Sequence, residues 1–350
     1  MTRVVILGAG VMGTAFATPL SDNGMTVDLV GTHLDGDLVA AMQATRVHPR
    51  LKAEIGENVT PLPVSELAAT LARPPDLVVV GVSTPGIGWA IDRLAGAMTG
   101  TPPVLLLTKG IAGTADRVET LPELVCRELE RMGVAHGPVG AVGGPCIAGE
   151  LAVRRQTSAI VGFTDAALAA MWAGAMSTDY YHLAHGGDLA GLEICAALKN
   201  FYAIGVSVPS GRLASQPAAN GAGLNNETAS LFNQAVTELA RIVAVSGGDP
   251  ATAFGLAGLG DLHVTTQAGR NSRLGRLLGE GLTYAEAMDG PLKGETVEGT
   301  LVAASLKAPL AALDRAGILP AAQVPLANAI VAAVTRGEPL HVALDTYHRT

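Results

Sequence analysis

The sequence predicts an α/β protein, with a parallel sheet wound by helices on both faces followed by an all-helical second domain. Three observations carry that prediction. Short β-branched runs alternate with helical segments through the first half of the chain, the pattern of βαβ units. A glycine-rich turn, Gly8-Ala9-Gly10-Val11-Met12-Gly13, falls between the first such run and the first helix. From about Asp188 the strand-like runs vanish and helical periodicity takes over.

Taken in order, Val4–Leu7 reads as a buried strand, Thr14–Asn23 as a helix ending at Gly24, and Val27–Val30 as a second strand. Leu77–Val82 is a continuous apolar run closed by the turn residues Ser83-Thr84-Pro85-Gly86. Val104–Leu107 is another, running into Lys109-Gly110, and Ser158–Phe163 is a further candidate strand after the Gly143-Gly144-Pro145 turn. Beyond them, helices are expected at Leu189–Val206, Glu227–Ser246, Arg273–Gly279, Thr300–Ala316 and Leu326–Arg336. Gly- and Pro-rich breaks, notably Pro209–Gly223 and Gly255–Gly260, separate them. A boundary near Gly186-Gly187 gives an N-terminal domain 1–187 and a C-terminal domain 188–350.

Composition narrows the class. With 350 residues and 49% hydrophobic content the chain suits two domains with large cores. Only 3% of residues are aromatic and 15% charged, while 43 are glycine, so the core packs on small side chains. A net charge of −8 argues against a nucleic-acid partner. No window reaches ~18 consecutive apolar residues, so no membrane span is expected. The apolar run after Arg3 is too short for a secretory signal. Cys126, Cys146 and Cys195 are widely spaced and suggest no disulfide framework; a cytoplasmic location is the expectation.

Gly8–Gly13 fits G-x-G-x-x-G in the strand-to-helix context that gives the pattern its meaning. Gly8 permits a tight turn, Gly10 lets the backbone approach a pyrophosphate, and Gly13 allows close helix–strand packing. The helix N-terminus then offers its unpaired N–H groups to the phosphates. The first domain is therefore expected to be a Rossmann-type doubly wound sheet that binds NAD or NADP. The acid expected about 20 positions on, for the ribose 2′-hydroxyl, is missing: the second strand ends Val30-Gly31-Thr32-His33, the nearest acid is Asp35, and no Arg stands there. The choice between the two cofactors stays open.

Of five lysines, two sit in apolar surroundings. Lys109 follows Val104–Thr108, where ligands bind outside the carboxyl ends of parallel strands. Lys199 lies in Ile194-Cys195-Ala196-Ala197-Leu198-Lys199-Asn200-Phe201, a helix apolar nearly all round and so expected to be buried. A buried ammonium either lowers its pKa or shares its pocket with an anion, and it can serve as general acid or base. Gly255–Gly260 reads as a flexible loop delivering Asp261, with Thr265 four residues on and Arg270-Asn271 beyond. Asn271 or Ser272 would cap the following helix, and Arg270 beside its free amides would seat a phosphate.

These elements together resemble the NAD(P)-dependent glycerol-3-phosphate dehydrogenase family. The likeness spans nearly the whole chain: Gly8–Gly13, Thr108-Lys109-Gly110, Gly143-Gly144-Pro145, Ala197-Leu198-Lys199-Asn200, Gly255–Asp261 with Arg270-Asn271, and Val297-Glu298-Gly299. The resemblance implies interconversion of sn-glycerol 3-phosphate and dihydroxyacetone phosphate, with Lys199 as the proton donor and acceptor and Lys109 and Asp261 beside it. It places substrate at Lys109, Gly144, Cys146, Asn200, Asp261, Thr265, Arg270 and Asn271. It places cofactor at Gly8, Gly10, Val11, Met12, Gly13, Thr32, His33, Lys109, Ala148, Arg270 and Glu298. A homodimer is also implied; no metal is expected, by the residues themselves.

Three departures leave room for another small phosphorylated or phosphonylated hydroxy compound. Cys146 stands where relatives carry Ser or Thr, Thr32-His33 replaces an Arg, and Cys195 replaces a Gly. A non-catalytic NAD(P)-binding sensor is disfavoured by the presence of both Lys199 and Asp261. His182 and His185 have helical ligand spacing but no third ligand nearby in sequence. His263, two residues from Asp261, is expected either to line the active site or to lie in a surface loop, and Trp89 and Trp172 in the core or at a domain contact.

Overall fold

The first β-branched run forms the centre of a sheet. The computed structural model describes residues 1–217, 219–341 and 344–346. Its main sheet has eight strands: β1 (Arg3–Leu7), β2 (Thr26–Val30), β3 (Val59–Leu62), β4 (Leu77–Val80), β5 (Val104–Leu106), β6 (Val139–Gly143), β7 (Thr157–Gly162) and β8 (Tyr181–Gly186). Their spatial order is β3-β2-β1-β4-β5-β6-β7-β8. All neighbours are parallel except β6 and β7. The first six strands follow the doubly wound dinucleotide-binding order, in which the chain reverses direction across the sheet between β1 and β4. Val4 pairs with both Val27 and Leu77, and Leu7 with both Val30 and Val80, so these three strands end level. Val4, Val5, Ile6 and Leu7 are wholly buried, as a strand covered by helices on both faces requires.

Three of the strands, β3, β6 and β8, carry weak sequence signals for separate reasons. Strand β3 lies at one edge and contains Pro61, which an edge strand tolerates. Strand β6 includes Gly140, where a Cβ would meet the Gly162 carbonyl at 2.4 Å; glycine there lets two backbones touch. Strand β8 lies at the other edge and carries His182 and His185. Positions three apart on a strand face opposite ways, so the two imidazoles do not share a face as helical spacing would have them.

The chain divides into two units. Unit 1 is Met1–Lys109 with Leu121–Leu189, and unit 2 is Gly110–Thr120 with Ala190–Thr350. The hairpin Ile111–Gly113/Val118–Thr120 therefore groups with the second unit, in contrast to a contiguous division at residue 187. Its anchor is a backbone contact: a Cβ on Gly113 would lie 2.1 Å from the Ser305 carbonyl oxygen. In unit 1, α1 (Val11–Asp22) buries Gly13 through Ser21 and ends just before Gly24 at φ +75°. Helices α2 (Gly36–Thr45) and α3 (Ile87–Ala97) follow β2 and β4.

Unit 2 is helical apart from that hairpin, among the described residues: α4 (Leu189–Val206), α5 (Asn225–Val245), α6 (Asp261–Gln267), α7 (Arg270–Gly279), α8 (Glu298–Arg315) and α9 (Pro325–Arg336) are its main elements. The last positions of the expected helical domain, 347–350, lie outside the described residues. Helix α4 is buried on all sides, with Ile194 through Leu198 and Phe201 through Ile204 at 0% exposure. The stretch Leu189–Ser215 is long and apolar enough to cross a membrane by composition, yet 83% of its most apolar window is buried inside the protein, as in a core helix. Glycine lets α7 lie against it: a Cβ on Gly275 would stand 2.0 Å from the Ile204 carbonyl. Beneath these helices Glu238 of α5 accepts from the Leu326 and Ala327 amides at 2.8 Å each, from Gln234 and from the Tyr202 hydroxyl. Burial pushes its carboxyl up to about 7, against the pull of those hydrogen bonds.

Candidate active site

In unit 1 the expected cofactor residues all follow the carboxyl ends of parallel strands, where ligands of such sheets bind. The turn after β1 needs its glycines for three reasons. Gly8 holds φ +120° and passes so close to Gly81 that a Cβ would meet that carbonyl at 2.7 Å. Gly13 packs onto the same turn, its Cβ position 2.0 Å from the Gly8 oxygen. Gly10 has nothing within 4 Å of where a Cβ would be: it borders open space at the head of α1. That helix has no side-chain cap, so its first amides point to that space. The geometry fits a dinucleotide pyrophosphate, with the Gly10 face as the cradle. Val11 is 40% exposed there, while Met12 turns inward against the core.

After β2, Asp35 is folded back: its Oδ2 accepts from Thr32 N–H at 2.8 Å and from Ala9 N–H at 3.3 Å. His33 lies 5.3 Å, ring to ring, from Trp89 of α3, and the Arg93 guanidinium sits 5.9 Å from that indole. Trp89 thus forms part of a polar-edged aromatic patch, whereas Trp172 is core. No Arg is near His33 in sequence; Arg93 stands over the Trp89 ring, one turn along the same helix.

Lys109 follows β5. Thr108 Oγ1 donates to the Val82 carbonyl at 2.6 Å, and Thr84 Oγ1 donates to the Lys109 carbonyl at 3.1 Å. Held on both sides, Lys109 Nζ donates to the Gly144 carbonyl at 3.0 Å, joining the ends of β5 and β6. Gly144 itself holds φ +104°. Cys146 is half-buried against the core beside Tyr181, and Ala148 begins the short helix Ala148–Ala152.

In unit 2, Lys199 projects from α4 to Asp261, Nζ to Oδ1 at 2.5 Å, with the two side chains 12% and 2% exposed. Of the two outcomes open to a buried ammonium, an anion shares its pocket. The carboxylate is presented by a π-helical turn, Leu256–Gly260, that runs straight into α6. This segment is ordered structure and not the flexible loop its glycines suggest. Gly258 rests on the backbone, a Cβ there being 2.1 Å from the Ala253 oxygen. Thr265 turns its hydroxyl back to the Asp261 carbonyl at 2.7 Å. His263 lies on α6, edge-on to Phe232 at 6.4 Å between ring centroids.

Helix α7 begins three residues earlier than its apolar periodicity indicates, at Arg270 behind Gly269, without a side-chain cap. Neither Asn271 nor Ser272 is the cap. Ser272 donates to the Gly269 carbonyl, while the Asn271 amide donates to Asn200 Oδ1 at 3.0 Å and accepts the Gly299 N–H at 2.8 Å. Gly299 is required by this packing, since a Cβ would stand 2.5 Å from the Asn200 carbonyl. Arg270 pairs with Glu298 of α8. Lys199, Asn200, Asp261, Thr265, Arg270, Asn271 and Glu298 are thus linked into one polar assembly by α4 and the starts of α6, α7 and α8. Among the described residues no group of three or more His, Cys, Asp or Glu is placed to hold a metal.

Comparison with known proteins gives concordant results. Residues 3–169 match the family model for the NAD-dependent glycerol-3-phosphate dehydrogenase N-terminus, and residues 188–345 match that for the C-terminus. The chain is 34% identical over 289 residues to an NADP(+)-dependent glycerol-3-phosphate dehydrogenase of Archaeoglobus fulgidus, covering 82% of each. It is 30% identical over 347 residues to a glycerol-3-phosphate dehydrogenase [NAD(P)+] of Alcanivorax borkumensis, covering 98% of this chain and 92% of the relative. Among solved structures it is similar to the glycerol-3-phosphate dehydrogenase of Coxiella burnetii, with a TM-score of 0.80 at 25% identity and coverage of 100% and 99%.

Proposed function

The chain belongs to the NAD-dependent glycerol-3-phosphate dehydrogenase family, and from that premise we propose that it interconverts sn-glycerol 3-phosphate and dihydroxyacetone phosphate with NAD or NADP, using Lys199 as general acid and base. The single observation that carries the reading is the Lys199–Asp261 pair, a nearly buried ammonium held by a carboxylate at the head of a helix.

The nicotinamide cofactor supplies and accepts the hydride. The chain's residues do the rest. As the ketone carbon is reduced, negative charge builds on its oxygen; the Lys199 ammonium stabilises that charge and passes it a proton from Nζ. In the oxidative direction the neutral amine takes the hydroxyl proton back. Asp261 orients Nζ and offsets the ammonium's lost hydration. Because Asn200 Oδ1 is taken by Asn271, the Asn200 amide hydrogens remain as donors to a substrate oxygen. Arg270 and the uncapped start of α7 receive the phosphate dianion. On unit 1 the Gly10 face takes the pyrophosphate, and His33 with Trp89 offers an aromatic surface to the adenine ring.

The test is a matrix of NADH and NADPH against dihydroxyacetone phosphate, its phosphonate analogue and dihydroxyacetone, followed by loss of nicotinamide absorbance. Turnover of the phosphorylated ketone, with Arg270→Ala raising its KM but not that of dihydroxyacetone, supports the reading; turnover of the phosphonate alone overturns it. The family likeness further supports a homodimer, which sedimentation of the purified chain tests.

A further inference from the structure

The middle residue of the phosphate turn is gripped at both ends of its backbone. Ala9 is fully buried, and its N–H is received by Asp35 Oδ2 at 3.3 Å. Its carbonyl faces His48 Nε2, also at 3.3 Å, and accepts from Thr14 Oγ1 at 3.3 Å. His48 belongs to the hairpin Val47–His48/Ala53–Glu54 and has 0% exposure. Its tautomer follows from its other nitrogen. Nδ1 accepts the Leu51 N–H at 3.1 Å, so the ring proton lies on Nε2 and points at Ala9. Burial lowers the imidazole's pKa, with the Arg50 charge adding to the effect and Asp35 and the Ala9 carbonyl opposing it; a neutral ring is what this pair of bonds requires.

We infer that Asp35 and His48 are positioning residues for the cofactor: by holding the N–H and the carbonyl of Ala9, they fix the Gly8–Gly13 turn in the shape that receives the pyrophosphate. The consequence for Asp35 is specific. It is the acid nearest the place where a ribose-binding carboxylate is expected, yet its Oδ2 is engaged by two backbone amides, that of Ala9 in the phosphate turn and that of Thr32 after β2. It acts on the phosphate turn, through Ala9, and does not read the ribose 2′ position. A preorganised turn binds its ligand without the cost of ordering it. This inference rests on reading unit 1 as the cofactor half of the enzyme.

Calorimetric titration with ADP-ribose and with 2′-phospho-ADP-ribose, which lack the nicotinamide, tests it without any turnover. His48→Asn keeps an acceptor for the Leu51 amide but does not reach Ala9; His48→Gln does reach it. Loss of one such bond weakens binding by about fivefold to tenfold. The expected result is that His48→Asn and Asp35→Ala weaken both ligands by the same factor, while His48→Gln and Asp35→Asn stay within about threefold of the parent. Unchanged binding in His48→Asn and Asp35→Ala overturns the inference. So does an Asp35→Ala protein that weakens ADP-ribose but tightens its 2′-phosphate, because that is the signature of a carboxylate facing the ribose. Should the His48 variants not fold, the Asp35 pair alone decides. A parent protein that binds neither ligand refutes instead the assignment of unit 1 as the cofactor half.

Discussion

Lys199 and Asp261, 62 positions apart, meet at 2.5 Å where neither side chain is more than 12% exposed. Breaking a buried pair by removing one partner is costly because the other charge stays behind. Asp261→Ala is expected to lower stability by about 3 kcal/mol and turnover by at least roughly a hundredfold. Asp261→Asn, which keeps an acceptor oxygen, should recover part of the stability and little of the rate. Urea midpoints and steady-state kinetics on the two variants check both halves.

The π-helical turn that presents Asp261 should be intolerant at one glycine and tolerant at another. A Cβ on Gly258 meets backbone at 2.1 Å, whereas one on Gly255 meets only the Thr252 oxygen at 3.5 Å. Gly258→Ala is predicted to cost about 1–3 kcal/mol and most of the activity, with Gly255→Ala close to the parent in both. Equal behaviour of the two variants would contradict the role given to this turn.

A similar contrast separates shape from ligand space in the phosphate turn. Gly10 has an ordinary φ of −71° and an open Cβ position, so Gly10→Ala should fold normally. If the Gly10 face takes the pyrophosphate as proposed, it should nonetheless bind NADH and NADPH at least about tenfold more weakly, because the methyl would occupy that approach. Gly13→Ala should instead lower the thermal midpoint, its Cβ being 2.0 Å from the Gly8 oxygen.

Glu238 gives the fold a pH dependence. Its carboxyl is raised to about 7 by burial, above its unfolded value of about 4.3. Between those values the folded state holds a proton that the unfolded chain has released. Its contribution to stability is therefore full below the unfolded value and is lost as pH rises through 7, by up to about 3–4 kcal/mol. Urea midpoints at pH 5 and pH 8 should differ by less in Glu238→Gln than in the parent; an unchanged difference would remove Glu238 as the cause.

Much of this arrangement was legible in the sequence because it depends on local chemistry. The fingerprint glycines, the buried helix around Lys199 and the strand leading to Lys109 are each written in a contiguous segment, and the structure builds each at its expected place. What was not legible depends on residues brought together from afar. Trp89 of α3, with Arg93 over its ring, meets His33 from a distant segment of the chain, and nothing around His48 marks it as the partner of Ala9. Asn271 reads as a helix cap from its neighbours alone; only the packing of α4, α7 and α8 makes it the link between Asn200 and Gly299. The glycines of 255–260 suggest a mobile loop, yet here they allow tight backbone packing in a π turn.

The central claim, that Lys199 moves the proton, is tested most directly by Lys199→Ala in the reduction of dihydroxyacetone phosphate. Turnover should fall by about 10²–10⁴-fold while NADH or NADPH binding, followed by calorimetry, stays within about twofold, and added ethylamine should restore part of the rate. A Lys199→Ala enzyme that turns over within about fivefold of the parent, with or without amine, would contradict the account.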